Sequence, residues 1–281
     1  MDSLVSAQWL AEHLDDPHLR VFDATVQVRR RFLVPTVRLG QREWRQGHVP
    51  GSAFASLFAL SDPDWPRRSM TMPSADWFAA GIGALGVSQD DYVVLYDRRE
   101  TMWAARLWWM LRTFGFDQAA ILDGGWTAWR QGGLPICAAS CTYPPATFNA
   151  ALRPGLVVGK QEVLAAIGNP DVCLINALGR RQHRGEVNEY GRRGHIPGSR
   201  NVTAWEILNR ETQRYRELPE LRRKVGSALD AKRIITYCGS GAAACSLAYT
   251  LIRLGHPHVA VYDGGLLEWC ADRSLPLETG T

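Results

Sequence analysis

The sequence lacks any apolar run long enough to cross a lipid bilayer, and this absence excludes an integral membrane protein. A membrane-spanning helix needs about 20 consecutive apolar residues, and no stretch of the 281 residues approaches that length. The first twenty residues, MDSLVSAQWLAEHLDDPHLR, carry acids early and lack the apolar core of a signal peptide. These features predict a cytoplasmic protein that does not act at a membrane.

Charge of a single sign is also scarce. The chain has 32 Lys and Arg residues against 28 Asp and Glu residues, so its net charge is only +4. No run of basic residues resembles a nucleic-acid-binding arm, and we therefore predict no nucleic-acid partner. Apolar residues make up 46% of the chain and charged residues 21%, which is ordinary for a globular protein. The length suits two domains of average size.

Cysteines are few and scattered, which excludes a disulfide framework. Cys137 and Cys141 lie four residues apart, but no second pair of Cys or His residues completes a zinc site. Nothing else in the sequence requires a metal ion or an organic cofactor, and none is predicted. Five of the six cysteines are interpreted as core or loop thiols, and Cys238 is the exception.

The chain contains two copies of one pattern. "GHVPGS" at 47–52 returns as "GHIPGS" at 194–199, and "VVLYD" at 93–97 returns as "IITYC" at 234–238. A longer stretch that contains Asp-Gly-Gly, at 111–129, returns at 251–269. Repeats this far apart indicate a duplicated domain rather than a solenoid. We predict a first domain at 1–137, a linker at 138–155, which holds three prolines and no periodicity, and a second domain at 156–281.

Both copies have the pattern of an α/β fold. Short strands rich in Val, Ile and Leu are predicted at Leu19–Asp23 and Tyr92–Tyr96, and again at Val172–Asn176 and Arg233–Tyr237. Helical patterns separate them, which predicts a parallel sheet flanked by helices in each copy. Ligands of such sheets bind beyond the carboxyl ends of the strands.

Cys238 directly follows one of these strands and opens the loop "CGSGAA". Gly239 and Gly241 permit unusual backbone angles, and the small residues between this strand and a helix predicted at about Ala243–Leu254 allow a tight curl. Successive N–H groups can then point inward as an anion-binding nest at a helix N-terminus. We expect this nest to lower the thiol pKa below its usual value of about 8.5, and to stabilise a persulfide anion. The alternative is a small buried hydrophobe.

The duplicated halves, the two GH-x-PG turns, the two DGG strands and the C-G-S-G loop resemble the tandem-domain rhodanese family of sulfurtransferases. The loop is similar to that of the 3-mercaptopyruvate branch of this family. The resemblance implies two rhodanese-like domains and ping-pong transfer of a sulfur atom from a small donor, through a Cys238 persulfide, to cyanide or a thiol acceptor such as thioredoxin. The first copy has Asp97 at the cysteine position, which implies a non-catalytic domain that lines the interdomain cleft.

The resemblance also implies a donor-binding surface. It consists of the loop residues Gly239, Ser240, Gly241, Ala242 and Ala243, with two arginines that bind the donor carboxylate. Gapless alignment places the two arginine positions on Gln182 and Gly191, so we predict the adjacent Arg181 and Arg192 instead. A solvated basic loop is the alternative for each. The loop also departs from the usual C-G-S-G-V-T, because Ala242 and Ala243 follow the second glycine.

A Ser-His-Asp relay proposed for this branch lacks its partners here. Ser240 is present, but the histidine position falls on Met70 and the aspartate position near Ser56. Two alternatives therefore remain: the same persulfide chemistry with thiosulfate as donor, and a rhodanese-like binding or regulatory module with an idle cysteine. A phosphatase is not predicted, because residues 239–246 contain no arginine to bind phosphate.

Several further residues receive structural interpretations. His48 and His195 occupy matched places in both copies, as do Asp123 and Asp263, although only one copy carries the nucleophile. We interpret all four as turn residues. Cys245 and the tryptophans of the helix after Asp97 are expected to pack in the core, with Trp103 as a candidate for the cleft.

Overall fold

The computed structural model describes residues 2–31, 34–64 and 70–280 of an α/β protein. The chain forms two compact units, of which the first comprises Met1–Arg153 with Arg210–Arg214 and the second Pro154–Asn209 with Tyr215–Thr281. Each unit is built around its own parallel sheet. Both predicted sheets are therefore confirmed.

The first unit holds a five-stranded sheet in the order β1-β7-β6-β2-β5. All of its pairings are parallel, and the central pair places Leu19 beside Tyr92 and Asp23 beside Tyr96. A separate antiparallel pair of strands, β3 and β4, follows the second strand. In chain order the elements are β1 (Leu4–Val5), α1 (Ala7–Glu12), β2 (Leu19–Asp23), β3 (Val26–Arg31), β4 (Val34–Leu39), α2 (Gln41–Gln46), β5 (Ala53–Phe54), α3 (Leu57–Leu60), α4 (Ala75–Ala84), β6 (Tyr92–Tyr96), α5 (Met102–Thr113), β7 (Ala119–Leu122) and α6 (Gly125–Gln131).

The second unit repeats this sheet in the order β10-β9-β11-β12-β8, again with parallel pairings. Its central pair places Val172 beside Arg233 and Asn176 beside Tyr237. The elements are β8 (Val157–Val158), α7 (Lys160–Ala166), β9 (Val172–Asn176), α8 (Arg180–His183), β10 (Arg200–Asn201), α9 (Leu218–Val225), β11 (Arg233–Tyr237), α10 (Ala242–Arg253), β12 (Val259–Tyr262) and α11 (Gly265–Ala271), with 3-10 helices at Ala204–Glu206 and Gly226–Asp230.

The strands form where the sequence pattern predicts them because both faces of each sheet are covered. Val93, Val94 and Leu95 of β6 are fully buried, as are the matched residues of β11, and a strand buried on both sides reads as a continuous apolar run. The helix after Cys238 begins at Ala242, one residue before the predicted start. Among the described residues, none of the helices has the length and apolar character needed to cross a bilayer.

The segment predicted as a linker, 138–155, contains no helix and no strand of the sheets. Most of it packs on the first unit: the Ala146 amide donates to the Gly83 carbonyl at 2.9 Å, and Tyr143 Oη donates to Gly51 O at 2.7 Å. A second segment, Arg210–Arg214, also belongs to the first unit by its contacts. Within it, Gln213 Oε1 accepts a hydrogen bond from the Glu100 amide at 3.0 Å. This arrangement has no signal in the sequence, and the predicted domain bounds stay predictions.

Candidate active site at the carboxyl end of β11

The GH-x-PG turn of each copy is fastened to the central strand by the last residue of that strand. In the second unit Tyr237 Oη lies 2.6 Å from Ser199 Oγ and accepts a hydrogen bond from the Ile196 amide at 3.1 Å. In the first unit Tyr96 makes the same two contacts, with Ser52 Oγ and with the Val49 amide. These hydrogen bonds therefore hold the duplicated GH-x-PG turn beside the carboxyl end of the central strand in each unit.

Cys238 lies one residue beyond β11, at the carboxyl edge of the sheet. Its thiol accepts hydrogen bonds from the backbone amides of Ser240, Gly241, Ala243 and Ala244. Gly241 adopts a φ of +87°, in the region that favours glycine, and this residue turns the loop into α10. We call this loop, residues 238–244, the Cys238 cradle; its inward amides have the arrangement that the sequence predicts.

The predicted effect on the thiol pKa is wrong in direction. Cys238 is only 3% exposed, and this burial raises the pKa of the Cys238 thiol above its ordinary value because desolvation disfavours the charged form. The four amides oppose this effect without overcoming it. Burial therefore favours the neutral thiol, and the cradle amides stabilise negative charge once the proton has left.

The repeated Asp-Gly-Gly motif holds the cradle from outside. The Leu266 amide at the start of α11 donates to the Cys238 carbonyl at 2.8 Å, and the Leu267 amide donates to the Gly239 carbonyl at 3.0 Å. A methyl group on Gly265 would lie 2.6 Å from the Cys238 carbonyl oxygen and 2.7 Å from that of Gly239. The second glycine of the motif is therefore needed so that α11 can approach the loop this closely.

The first unit has an equivalent cradle, formed by residues 97–104, in which Asp97 replaces the cysteine. One carboxylate oxygen accepts from the amides of Arg99 and Thr101, at 2.9 and 3.1 Å, and the other from those of Trp103 and Ala104, at 3.0 and 3.1 Å. Burial raises the pKa of Asp97 to about 7, although these amides work in the opposite direction. We call this loop the Asp97 cradle.

The two arginines predicted to bind the donor carboxylate already have partners. Arg181 Nε lies 3.2 Å from Glu186 Oε2, and both side chains are exposed. Arg192 Nη1 donates to the backbone carbonyls of Asp272 and Leu275, at 3.2 and 2.9 Å. A role for either arginine in donor binding stays a prediction, and it would require the side chain to leave these partners.

The residue at one aligned arginine position, Gln182, has a structural role. Its side chain is buried, accepts a hydrogen bond from Asn176 Nδ2 at 3.2 Å and donates to the Gly194 carbonyl at 3.0 Å. The other position, Gly191, is exposed, and a methyl group there would meet no atom within 4 Å. Neither residue therefore offers a carboxylate-binding group in this conformation.

The remaining predicted residues fall into structural places. Ser56 caps α3 by accepting from the Ala59 amide, and Met70 is buried, so neither supplies the missing relay partner. His48 Nδ1 lies 2.8 Å from the Trp44 carbonyl oxygen, and His195 Nδ1 lies 2.6 Å from that of His183. These contacts agree with the interpretation of both histidines as turn residues.

Tyr190 is a residue of this site that the sequence analysis missed. A methyl group on Gly239 would overlap the phenol end of Tyr190, with Cε1 at 2.5 Å and Cζ at 2.6 Å. The tyrosine therefore lies directly against the residue that follows Cys238. The only sequence signal was an aromatic residue within a basic segment, and that signal does not indicate contact with a loop about fifty residues away.

Comparison with known proteins places these features in a family. The family model of the rhodanese-like domain matches residues 6–132 and 161–272. The 3-mercaptopyruvate sulfurtransferase of Escherichia coli K12 is 38% identical over 280 residues, which cover 98% of this chain and 97% of that protein. The thiosulfate sulfurtransferase of Rattus norvegicus is 32% identical over 290 residues, covering 99% of this chain and 94% of that protein. The crystal structure of SseA, a 3-mercaptopyruvate sulfotransferase from Escherichia coli, matches with a TM-score of 0.83 and 35% identity, covering 94% of this chain and 99% of that one.

Proposed function

Because this chain belongs to the rhodanese-like family and is a sulfurtransferase like its relatives, we propose that it takes a sulfur atom from 3-mercaptopyruvate and passes it to a thiol or to cyanide. Cys238 carries the sulfur as a persulfide between the two half-reactions. The observation that carries this proposal is the Cys238 cradle, in which four backbone amides converge on one thiol. Such donors stabilise charge that develops at the sulfur during transfer.

The first half-reaction begins when the Cys238 thiol loses its proton. The thiolate attacks the sulfur of 3-mercaptopyruvate, so that a sulfur–sulfur bond forms and the carbon–sulfur bond of the donor breaks. The electron pair of the broken bond remains on the donor as the enolate of pyruvate, which takes up a proton. The products are the Cys238 persulfide and pyruvate, and the proton lost from the cysteine balances the one gained by the enolate.

The second half-reaction returns the cysteine to its starting state. A thiolate acceptor, or cyanide, attacks the terminal sulfur of the persulfide, and the sulfur–sulfur bond breaks towards Cys238. The thiolate that leaves is again stabilised by the cradle amides. We propose thioredoxin as one acceptor and the cytosol as the compartment, because thiols are kept reduced there and are available for this step.

The Asp97 cradle supports the persulfide as the intermediate. A carboxylate oxygen of Asp97 lies one bond beyond Cγ, as the terminal sulfur of a persulfide lies one bond beyond Sγ. Asp97 therefore places its carboxyl oxygens where the matched loop of the second unit would hold that sulfur. Its oxygens reach the amides of residues 99, 101, 103 and 104. When α5 and α10 are matched residue for residue, and Asp97 is matched with Cys238, the equivalents are Ser240, Gly241, Ala243 and Ala244, the four amides that face the Cys238 thiol. We expect these four amides to hold the persulfide anion.

Thiosulfate is the second candidate donor. Arg181 and Arg192 are candidates for the carboxylate of 3-mercaptopyruvate, and the amides of Gly239–Ala243 are the proposed donor-binding surface. The contacts of both arginines with other groups favour a donor that does not depend on them. With thiosulfate, the Cys238 thiolate attacks the outer sulfur and sulfite leaves with the electron pair.

One experiment tests the chemistry and the donor together. Wild type, Cys238→Ala and the control Cys173→Ala, which removes a half-buried thiol of the same unit, are incubated with each donor and weighed by mass spectrometry. We expect an added mass of about 32 daltons, one sulfur atom, on wild type and on the control but not on Cys238→Ala. We also expect a larger kcat/KM with 3-mercaptopyruvate.

Each outcome has a defined meaning. A larger kcat/KM with thiosulfate would reverse the order of the two donors and leave the persulfide chemistry in place. No adduct on wild type with either donor would refute the enzymatic assignment and favour a binding module with an idle cysteine. Full sulfur transfer by Cys238→Ala would show that another thiol of the protein carries the sulfur.

A further inference from the structure

We propose that Tyr190 is a donor-binding residue that selects 3-mercaptopyruvate over thiosulfate at the Cys238 cradle. This inference rests on the proposed sulfurtransferase function. Its basis is a contact: the three atoms nearest to a methyl group built on Gly239 are Tyr190 Oη, Cε1 and Cζ. The hydroxyl end of the ring, rather than its base, therefore reaches the loop directly after the nucleophile.

The position of Tyr190 is maintained by the residues that follow it. Gly191 adopts a φ of +85°, which turns the chain sharply after the tyrosine. Arg192 then anchors the segment, because its guanidinium donates to the carbonyls of Asp272 and Leu275 and its backbone amide donates to Cys270 Sγ. The phenol is thus attached to a short, fixed segment rather than to a long free loop. In this proposal Arg192 keeps these partners and positions Tyr190, and Arg181 is then the candidate for the donor carboxylate.

The contact with Tyr190, rather than the backbone conformation, explains why residue 239 is a glycine. Its backbone angles do not require glycine, since its φ lies outside the left-handed range, whereas the φ of Gly241 lies within it. The space that a side chain at 239 would occupy is filled by the phenol of Tyr190. The Tyr190 hydroxyl, which can donate a hydrogen bond, therefore lies where the side chain of residue 239 would otherwise be.

The surroundings of the tyrosine favour an anionic donor. The segment 180–193 contains five arginines and two glutamates, and this excess of positive charge attracts anions towards the loop. A tyrosine hydroxyl can donate one hydrogen bond and accept others. In 3-mercaptopyruvate the keto oxygen is separated by two carbon atoms from the sulfur that Cys238 attacks. This oxygen becomes negatively charged in the enolate, so a hydroxyl beside the cradle would stabilise the transition state more than the bound donor.

Thiosulfate makes a different demand on the site. The sulfite that leaves spreads its charge over three equivalent oxygens, and that charge is largely present before the reaction starts. A single hydroxyl therefore contributes less to the transition state for thiosulfate than for 3-mercaptopyruvate. Loss of the Tyr190 hydroxyl should change the ratio of the two kcat/KM values, which a purely structural role would leave unchanged.

The test compares Tyr190→Phe with wild type and with the control Tyr92→Phe, which removes a partly exposed hydroxyl from the first unit. We expect Tyr190→Phe to lower kcat/KM for 3-mercaptopyruvate by about 10-fold or more, as for loss of one hydrogen bond to a developing charge. Turnover with thiosulfate should fall by less than about 3-fold, and the control should match wild type for both donors. An unchanged ratio of the two kcat/KM values for Tyr190→Phe would overturn the proposal.

A second pair of variants tests the contact itself. Gly239→Ala should lower kcat/KM in wild type because the new methyl group displaces the phenol. In a Tyr190→Ala background the same substitution should have less than about a 2-fold effect, since nothing is left to displace. An equal effect in both backgrounds would show that the ring does not occupy this space. Persulfide formation on wild type is the reference for both tests. If no persulfide forms on wild type, the proposed function is refuted. If the persulfide forms but Tyr190→Phe leaves the ratio of the two kcat/KM values unchanged, only this inference is refuted.

Discussion

The Asp97 cradle and the Cys238 cradle have the same architecture around different chemical groups. In each, the residue after a buried strand accepts hydrogen bonds from amides at the start of a helix, and the helix after Asp-Gly-Gly contacts its carbonyl oxygen. The Asp97 cradle already contains a carboxylate, whereas the Cys238 cradle holds a single sulfur atom and can accept a second. The comparison shows that the fold supplies an anion-binding loop and that one side chain decides whether it can carry sulfur.

The two loops differ in how their backbone reaches this shape. The second unit uses Gly241 at a φ of +87°, whereas the first unit has Glu100 and Thr101 at φ values of +69° and +50°. Such angles are costly for residues with side chains, by roughly 1–2 kcal/mol each. Hydrogen bonds to Asp97 and from Glu100 to Gln213 offset this cost in the first unit. The Cys238 cradle needs no such compensation.

The largest expected effect comes from making the two cradles alike. Cys238→Asp should lower kcat/KM by at least about 10³-fold, because a carboxylate cannot accept a sulfur atom. The protein should still fold, since the first unit holds the same group in the same loop. We further expect Cys238→Asp to be more stable than Cys238→Ala by about 1–3 kcal/mol, because alanine leaves four buried amides without an acceptor.

Urea unfolding of the two variants, with wild type as reference, measures this difference in stability. Sulfur transfer by Cys238→Asp would contradict the catalytic assignment. A Cys238→Asp protein less stable than Cys238→Ala would show instead that the two loops are not equivalent, even if activity is lost as expected.

Much of this comparison was accessible from the sequence. The repeats, the central strands and the inward amides follow from local patterns: apolar runs, glycine placement and the spacing of matched motifs. The thiol pKa was not accessible, because the degree of burial of Cys238 depends on residues distant in sequence. Tyr190 and Gln213 were missed for the same reason, since neither carries a local signal for the loop that it contacts. The role of the Gly-Gly pair was not accessible either, because its close approach to the nucleophile is a tertiary contact.

A smaller effect is expected from the glycines that lie against each cradle. Gly265→Ala and Gly125→Ala each add a methyl group that overlaps a carbonyl oxygen of the loop, at φ values of +54° and +50°. Each should lower the free energy of unfolding of its unit by about 2–4 kcal/mol, from overlap and left-handed strain together. Gly198→Ala and Gly51→Ala are matched controls, since both have positive φ but no atom within 4 Å of the added group.

The controls should therefore cost only about 1–2 kcal/mol, the strain alone. Gly265→Ala should also reduce persulfide formation, because it disturbs the loop that holds Cys238, whereas Gly125→Ala should disturb only the Asp97 cradle. Equal costs for the variants and their controls would show that the close approach contributes nothing to either unit.

The smallest expected effect is a pH dependence of opposite sign in the two units. Burial raises the pKa of Asp97 from 3.8 to about 7, so the folded first unit binds a proton that the unfolded chain releases, and stability from this group is lost as the pH rises through 7. Burial lowers the pKa of His183 from 6.5 to about 4, with the stacked His195 adding to the effect, so the stability of the second unit is lost as the pH falls below 6.5. Between pH 5.5 and 8 these shifts correspond to a loss of about 2 kcal/mol in the first unit and a gain of about 1 kcal/mol in the second.

Variants isolate each contribution, because burial also raises the pKa of Asp23 in the first unit. Asp97→Asn should flatten the pH dependence of unfolding of the first unit, and His183→Phe, which keeps a ring against His195, should flatten that of the second. Tryptophan fluorescence reports mainly on unfolding of the first unit, because nine of the eleven tryptophans lie within residues 1–153. Only Trp205 and Trp269 lie in the remainder of the chain. If Asp97→Asn leaves the pH dependence of the free energy of unfolding of the first unit unchanged, the Asp97 carboxylate is ionised at all these pH values. The Asp97 cradle would then bind an anion more strongly than its burial implies, and the same would be expected of the loop around Cys238, whose thiol would ionise more readily.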